Sequence, residues 1–233
     1  MTGKWEVLSK KTNKKHPIRV LVTAGPTRAY LDPVRFLSNY STGELGFQLC
    51  RSLEKKGIEV AAVVGPTTQP FHELKLKRLV DVETADEMSE ATLRLCRTLK
   101  PDFVIFTAAV LDFKPQKRER SKVSSSQKKW LVEFVPTPKI IDLVGLHHPN
   151  IRRIGFKLEW EPGKAKKLSA FARDLLIKKK LDAVCINFLS LIGKKKHPLW
   201  IFTKAGLQAK LNTKTQIAQA LANLVNQPNE YWL

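Results

Sequence analysis

Asn39 stands among residues that could handle an anion, Thr27, Arg28, Arg35, Ser38, Ser41 and Thr42. Hydroxyl and amide groups orient phosphate oxygens, and arginine supplies charge in a fork that matches them. The group lies in a loop between two apolar runs, Ile18–Val22 and Val60–Val64, the first closed by Gly25-Pro26. Ser41-Thr42-Gly43-Glu44 has the spacing of a capping box, which predicts a helix with Ser41 at its N-cap and Glu44 reaching back. Leu45, Leu49 and Leu53 mark the helix's apolar face and Gly57 its end. Strand, loop, helix and strand make one βαβ unit whose loop opens onto a helix N-terminus, where backbone N–H groups favour anions. The GxGxxG spacing of a dinucleotide site is absent, so the chemistry indicated is phosphate handling.

Other standard chemistries lack their motifs. There is no GxSxG, HExxH or GxxxxGK[ST]. His147-His148 is adjacent rather than at ligand spacing and is followed by Pro149, so it reads as a surface loop and not a metal site. The lysine runs at 178–180 and 194–196 read as solvated faces. Cys50, Cys96 and Cys185 show no CxxC spacing and sit at core-like positions, which predicts reduced, cytoplasmic thiols.

The elements that must position these residues follow in order. Thr84 and Glu87 form a second capping box, opening a helix with Met88, Leu95 and Leu99 inward and Pro101 beyond its end. Asp102–Phe106 is a strand that runs into Thr107-Ala108-Ala109, small residues where open α/β sheets bind ligands or where a helix packs close. Residues 113–130 are densely charged without apolar periodicity and predict an exposed, mobile loop, with Trp130–Val135 as an extended return. Thr137-Pro138 predicts an N-cap and first helical residue. A strand at Arg153–Phe156, a helix over 163–180 with Leu168, Phe171 and Leu175 inward, a strand at Leu181–Asn187, a strand at Trp200–Thr203 and a helix from Thr213 to Val225 complete the chain. Strands alternating with helices predict a three-layer, Rossmann-like α/β domain with a mainly parallel sheet and a mobile flap over about 113–135. The expected organisation is a basic arm over 1–16, with no signal-like apolar region, and a single domain over 17–233.

The chain has 233 residues, 43% of them apolar, and 41 Lys+Arg against 21 Asp+Glu give a net charge of +20. No apolar run approaches membrane-spanning length. The excess charge suits phosphorylated substrates or nucleic acid. No recognition-helix, zinc-knuckle or aromatic RNA-binding pattern organises it, which leaves nucleic acid the minor reading.

DPVRFLSNYSTGELG, residues 32–46, resembles the DPVRxISNxSSGxMG signature of phosphopantothenoylcysteine synthetase, the ligase domain of bacterial coenzyme A biosynthesis. The resemblance extends in order along the chain. VLVTAGPT is similar to the family's VLITAGGT, AAVLDF to AAVADY, SKVSSS to its EKIKK flap, PTPKII to NPDIL, RRIGFKLE to VVGFAAET and LDAVCIN to LDLIVAN. It implies a ligase that activates the carboxylate of 4′-phosphopantothenate with CTP as an acyl-cytidylate, then forms an amide with cysteine. Both steps build charge on oxygen, so placed donors and cations matter more than a nucleophilic side chain.

By the resemblance, Asn39 contacts the acyl oxygen and Lys122, in the flap, offsets charge over the site. Ala108, Ala109 and Asp112 meet the nucleotide. Pro138, Lys139, Ile140, Ile141, Phe156 and Lys179 surround cytosine and triphosphate, with Asn187 also on the nucleotide side. Gly25, Thr27, Ser41, Thr42 and Gly43 line the phosphate loop, and Arg35 supports it or reaches a neighbouring subunit. Mg²⁺ accompanies the triphosphate. A homodimer is implied, as is a separate decarboxylase, because the family's usual amino-terminal flavin-dependent domain is not in this sequence. The flap reads Lys122-Val123-Ser124-Ser125 where the family has KIKK, and Lys157-Leu158 stand where it has small residues. An ATP-using version of the ligase, an NAD(P)-dependent reductase on the same topology, and a degenerate basic nucleic-acid-binding homologue are the alternatives. The missing glycine fingerprint argues against the reductase.

Overall fold

The computed structural model describes residues 17–161, 165–193 and 196–232. The expected basic arm over 1–16 lies outside them.

In chain order the elements are β1 (Arg19–Ala24), β2 (Arg28–Tyr30), β3 (Phe36–Ser38), α1 (Glu44–Glu54), β4 (Glu59–Val64), β5 (Arg78–Asp81), α2 (Ala85–Leu99) and β6 (Phe103–Phe106). They continue as β7 (Phe113–Pro115), β8 (Phe134–Pro136), α3 (Ile140–His147), β9 (Arg152–Glu159), α4 (Ala165–Lys178), β10 (Ala183–Phe188), β11 (Leu199–Thr203), β12 (Gly206–Leu211) and α5 (Lys214–Val225). The eight-stranded sheet has the order β12-β11-β10-β9-β6-β1-β4-β5. From β10 to β5 neighbouring strands are parallel. At the other end of this sheet β10–β11 and β11–β12 pair antiparallel. The fold is therefore the mainly parallel, Rossmann-like α/β architecture that the alternation of elements predicts. The chain winds to one side of β1 through β4 and β5, then to the other through β6, β9 and β10, so the strand order reverses between β1 and β6.

Period-two alternation along fully buried strands serves both faces. Val20, Val22 and Ala24 of β1 and Val60, Ala62 and Val64 of β4 join Leu49 and Leu53 of α1 and Ile217 and Leu221 of α5 on one face. Leu21, Ala61 and Val63 face the other way, onto Met88, Ala91 and Leu95 of α2 and Val144 of α3. Farther along that face Ala172 and Leu176 of α4 cover Val184, Ile186 and Phe188 of β10. Each of the Val, Leu, Ile, Met and Phe side chains among these, fully withdrawn from water, contributes about 1.5–3 kcal/mol.

Local expectations divide. The Thr84–Glu87 capping box is present in both directions, and Thr213 caps α5 by accepting from Gln216 N. The capping box at Ser41–Glu44 does not form. Gly43, at φ +71°, is the N-cap residue and Glu44 begins the helix, its carboxylate turned instead to Gln48 and Lys214. Likewise Lys139 rather than Thr137 precedes α3, and the Thr137 hydroxyl is buried without a hydrogen-bond partner. Two small antiparallel pairs lie outside the main sheet. β2–β3 falls within the first loop, and β7–β8 forms the base of the segment expected as a flap. Among the described residues no helix is long and apolar enough to cross a membrane.

Candidate active site

The site grows from the carboxyl ends of β1 and β6, where the strand order reverses. Gly25 follows β1 at φ +74°, and a Cβ there would stand 2.8 Å from the Gly65 carbonyl oxygen, so the turn requires glycine. Its own carbonyl accepts from Ala109 N at 2.9 Å. Thr27 is wholly buried and its Oγ1 accepts from Leu111 N at 3.0 Å. Thr107 Oγ1 donates to Thr23 O at 2.7 Å. The loops after β1 and β6 are thus one bonded unit, and Thr27 serves as an internal brace with its hydroxyl already engaged. α1 presses close behind: a Cβ on Gly46 would lie 2.4 Å from Ala24 Cβ and 2.8 Å from Thr107 Oγ1.

Asn39 leaves the base of the β2–β3 hairpin at this unit. Ser38 Oγ donates to Thr27 O at 3.0 Å. Asn39 Nδ2 donates to Val110 O at 3.0 Å and to Ala109 O at 3.3 Å. The residue is solvent-exposed, so its carboxamide is both located by the β6 loop and open to a ligand. Next in the chain, Ser41 Oγ accepts from Gly43 N and Thr42 Oγ1 from Glu44 N, each at a long 3.4 Å. Such weak partners leave the N–H groups at the start of α1 available to a stronger acceptor. Beside them opens a cleft of about 970 Å³ lined by Arg28, Ser41, Thr42, Thr67, Thr68 and His72 among others. Thr67, whose hydroxyl donates to Thr42 O at 2.7 Å, is a lining residue that sequence reasoning missed. Its Gly-Pro-Thr-Thr turn after β4, at a sheet's carboxyl edge, is the signal that could have found it.

The far end of the hairpin holds the flap. Asp32 is fully buried, and its carboxylate accepts from Val34 N, Arg35 N, the Arg35 guanidinium and, across the fold, Val123 N. Burial alone would raise this carboxyl, but the Arg35 guanidinium and the backbone N–H groups outweigh it and hold it well below the usual carboxylate range. Arg35 Nη2 completes the clasp by donating to Val123 O at 2.6 Å, and its guanidinium lies 4.5 Å from the centre of the Trp130 ring. Glu119 N bonds Leu31 O, and Arg118 lies over Tyr30. Arg35 is therefore a brace between hairpin and flap. Lys122 is exposed next to the clasped Val123, beside the hairpin's far end. The rise of β3 separates that end from Asn39 by about 10 Å.

Most of the residues expected around a nucleotide gather at the first turn of α3. Lys139 pairs with Asp112, whose backbone oxygen accepts from Thr137 N at 2.8 Å. Lys179, after α4, meets Asp142 at 2.7 Å. Buried Arg153 binds both segments from behind, donating to Ile141 O and Lys180 O. Ile140 is buried there and Ile141 half-buried, while Pro138 is exposed. Phe156 and Asn187 are not brought to this turn. Phe156 packs against the core on the α1/α5 face of the sheet. Asn187 is buried with its Nδ2 3.3 Å from His197 Nε2. Burial, then Lys214, pushes the His197 imidazole below its ordinary value. Alternation along β9 explains the split: Gly155 faces Ile141 and Leu181, so its neighbour Phe156 points the other way.

Comparison with known proteins gives this arrangement a family. The profile of the DNA/pantothenate metabolism flavoprotein C-terminal domain matches residues 16–228. The coenzyme A biosynthesis bifunctional protein CoaBC of Thermococcus kodakarensis is 33% identical over 223 residues, 93% of this chain and 54% of that protein. The chain thus spans about half the length of the curated relatives it matches. Among solved structures, the DNA/pantothenate metabolism flavoprotein from Streptococcus pneumoniae superposes with a TM-score of 0.78 at 26% identity, covering 89% of this chain and 98% of that one. The C-terminal domain of a coenzyme A biosynthesis bifunctional protein CoaBC gives 0.69 at 27% identity, covering 89% and 93%. With a bonded β1–β6 crevice, an Asn39 carboxamide set at its mouth and a profile match over nearly its whole length, the chain belongs to the DNA/pantothenate metabolism flavoprotein C-terminal domain family.

Proposed function

We propose that this chain is a phosphopantothenate–cysteine ligase of coenzyme A biosynthesis that uses CTP. The observation that carries the proposal is the setting of Asn39, an exposed carboxamide fixed by the Ala109 and Val110 carbonyls at the reversal point of the sheet, beside the weakly capped start of α1. Family membership and the names of the relatives support the same reading.

In the first step a carboxylate oxygen of 4′-phosphopantothenate attacks the α-phosphorus of CTP, and pyrophosphate leaves. In the second the cysteine amine attacks the acyl carbon, the tetrahedral oxyanion collapses with loss of CMP, and the amine gives up its proton. Asn39 exchanges its backbone acceptors for the acyl oxygen and stabilises charge there as it develops. Lys139 and Lys179 exchange Asp112 and Asp142 for phosphate oxygens, a trade of one charge-assisted partner for another. The triphosphate brings Mg²⁺, held chiefly by phosphate oxygens and water, and the ion offsets part of its charge.

Lys122 is exposed next to Val123, which is clasped at the far end of the hairpin, while Asn39 stands at the hairpin's base. That placement favours its acting in a partner's site, and so a homodimer. The hairpin and flap also expose Phe36, Leu37, Tyr40, Phe113, Leu131 and Phe134, apolar area of the kind a partner covers. Three buried, unpaired thiols suit a reducing, cytoplasmic setting. The test is to incubate the protein with 4′-phosphopantothenate, cysteine, CTP and Mg²⁺ and weigh the product by mass spectrometry. The amide, phosphopantothenoylcysteine, is expected; its absence at any enzyme concentration would overturn the proposal.

A further inference from the structure

Asp32 is wholly buried and closed to any substrate, yet its partners lie on both sides of the seam between hairpin and flap. Within the hairpin, Oδ1 accepts from Val34 N at 2.9 Å and Arg35 N at 2.8 Å, and Oδ2 from Arg35 Nε at 3.0 Å and Nη2 at 2.6 Å. Across the seam, Oδ2 also accepts from Val123 N at 3.2 Å, while Arg35 Nη2 donates to Val123 O at 2.6 Å. One ion pair therefore holds both polar groups of the Val123 backbone. Over residues 120–132, among the described residues, the hydrogen bonds and ring contacts that reach beyond the flap all end on Asp32 or Arg35. Lys122 is exposed and directly precedes Val123, so its Cα lies one peptide unit, about 3.8 Å, from the clasped residue. Asp32 and Arg35 are three residues apart in one turn. Their pairing does not need the flap, so a lifted flap strands no buried charge.

We propose that Asp32 is a positioning residue: paired with Arg35, it forms a ready-made cup for the Val123 backbone and so fixes where the flap carries Lys122. A lysine on a flexible stem offsets charge at a chosen point only when the backbone beneath it is held. Two bonds to one residue set the orientation of that backbone as well as its place. The effect on turnover rests on the ligase reading; the clasp itself does not.

The clasp is read by a nitroxide label on Lys122→Cys, the three native thiols being buried, with a label on Arg94→Cys in α2 as the control. Slow motion is expected at position 122, and fast, loop-like motion once Asp32→Asn is added, with position 94 unchanged. Arg35→Lys keeps a charge beside Asp32 but loses the guanidinium fork; it is expected to free position 122 as well, and decides the matter should Asp32→Asn not fold. Unaltered motion at position 122, or loosening at both positions together, would overturn the clasp. In amide formation, Asp32→Asn is expected to lower kcat about tenfold. The loss from Lys122→Ala is expected to shrink to less than about threefold in the Asp32→Asn background, because both act through one group. Losses that simply multiply would overturn the route through Lys122. A parent protein without turnover would overturn the ligase reading, and the labels would still decide the clasp.

Discussion

Asn39 spends both amide hydrogens on backbone that belongs to the site itself, Ala109 O and Val110 O. A side chain so placed is held at the site before substrate arrives, and in the proposed reaction it trades these acceptors for the acyl oxygen. Asn39→Ala removes that donor from an exposed position with no core contacts, so the fold is expected to persist by circular dichroism. Amide formation is expected to fall by about 10²–10³, the range for one oxyanion donor. A decrease of less than threefold would contradict its role. The thiols lie at the other extreme. Burial pushes Cys96 up to about 12 and raises Cys50 and Cys185 further. Relative to an ordinary thiol, this leaves Cys96 about 1000-fold less thiolate at pH 8. The native protein is expected to react with dithiobisnitrobenzoate at least about 100-fold more slowly than the protein in guanidinium, and comparable rates would contradict it. The motif spacing around Asn39 was legible in the sequence. Asp32 was not, because Val123, its partner across the fold, is 91 residues away.

At the scale of elements, the apolar runs and the Thr84 cap were readable because each is a local pattern. The start of α1 was misread because Ser41–Glu44 fits the capping-box spacing, while Gly43 takes the left-handed conformation and serves as N-cap two residues later. The β2–β3 hairpin escaped because its strands are three residues long and Phe36–Ser38 is exposed throughout, with no alternation to see. β12 follows β11 through Lys204-Ala205, a turn without the Asn-Gly signal of a hairpin. Through Gly46, α1 packs close to β1 and to Thr107 just after β6. Gly46→Ala places its Cβ inside the contact distance of Ala24 and Thr107 and is expected to cost about 1–3 kcal/mol, read from the urea midpoint. It should also lower activity by shifting the phosphate-facing start of α1. An unchanged midpoint would show that the helix approaches less closely than described.

Across the whole molecule, several of the 41 basic residues have local duties. Lys139, Lys179 and Lys214 pair with carboxylates beside the candidate site, Arg35 clasps the flap, and Arg153 is a buried tie between segments. None of these roles can be read from composition. The exposed apolar residues of hairpin and flap predict a dimer by analytical ultracentrifugation at micromolar concentration. Replacing Phe36 and Tyr40 together with Ser is expected to shift the protein toward monomer, with a loss of turnover if Lys122 acts across the interface. A wild-type protein that stays monomeric at that concentration would contradict the dimer.

The most direct test of the central claim is nucleotide product analysis with 4′-phosphopantothenate, Mg²⁺ and CTP or ATP, with and without cysteine. The account predicts pyrophosphate from CTP and CMP release that depends on cysteine. AMP in place of CMP would keep the ligase and contradict the nucleotide assignment. No pyrophosphate from either nucleotide would contradict the ligase itself.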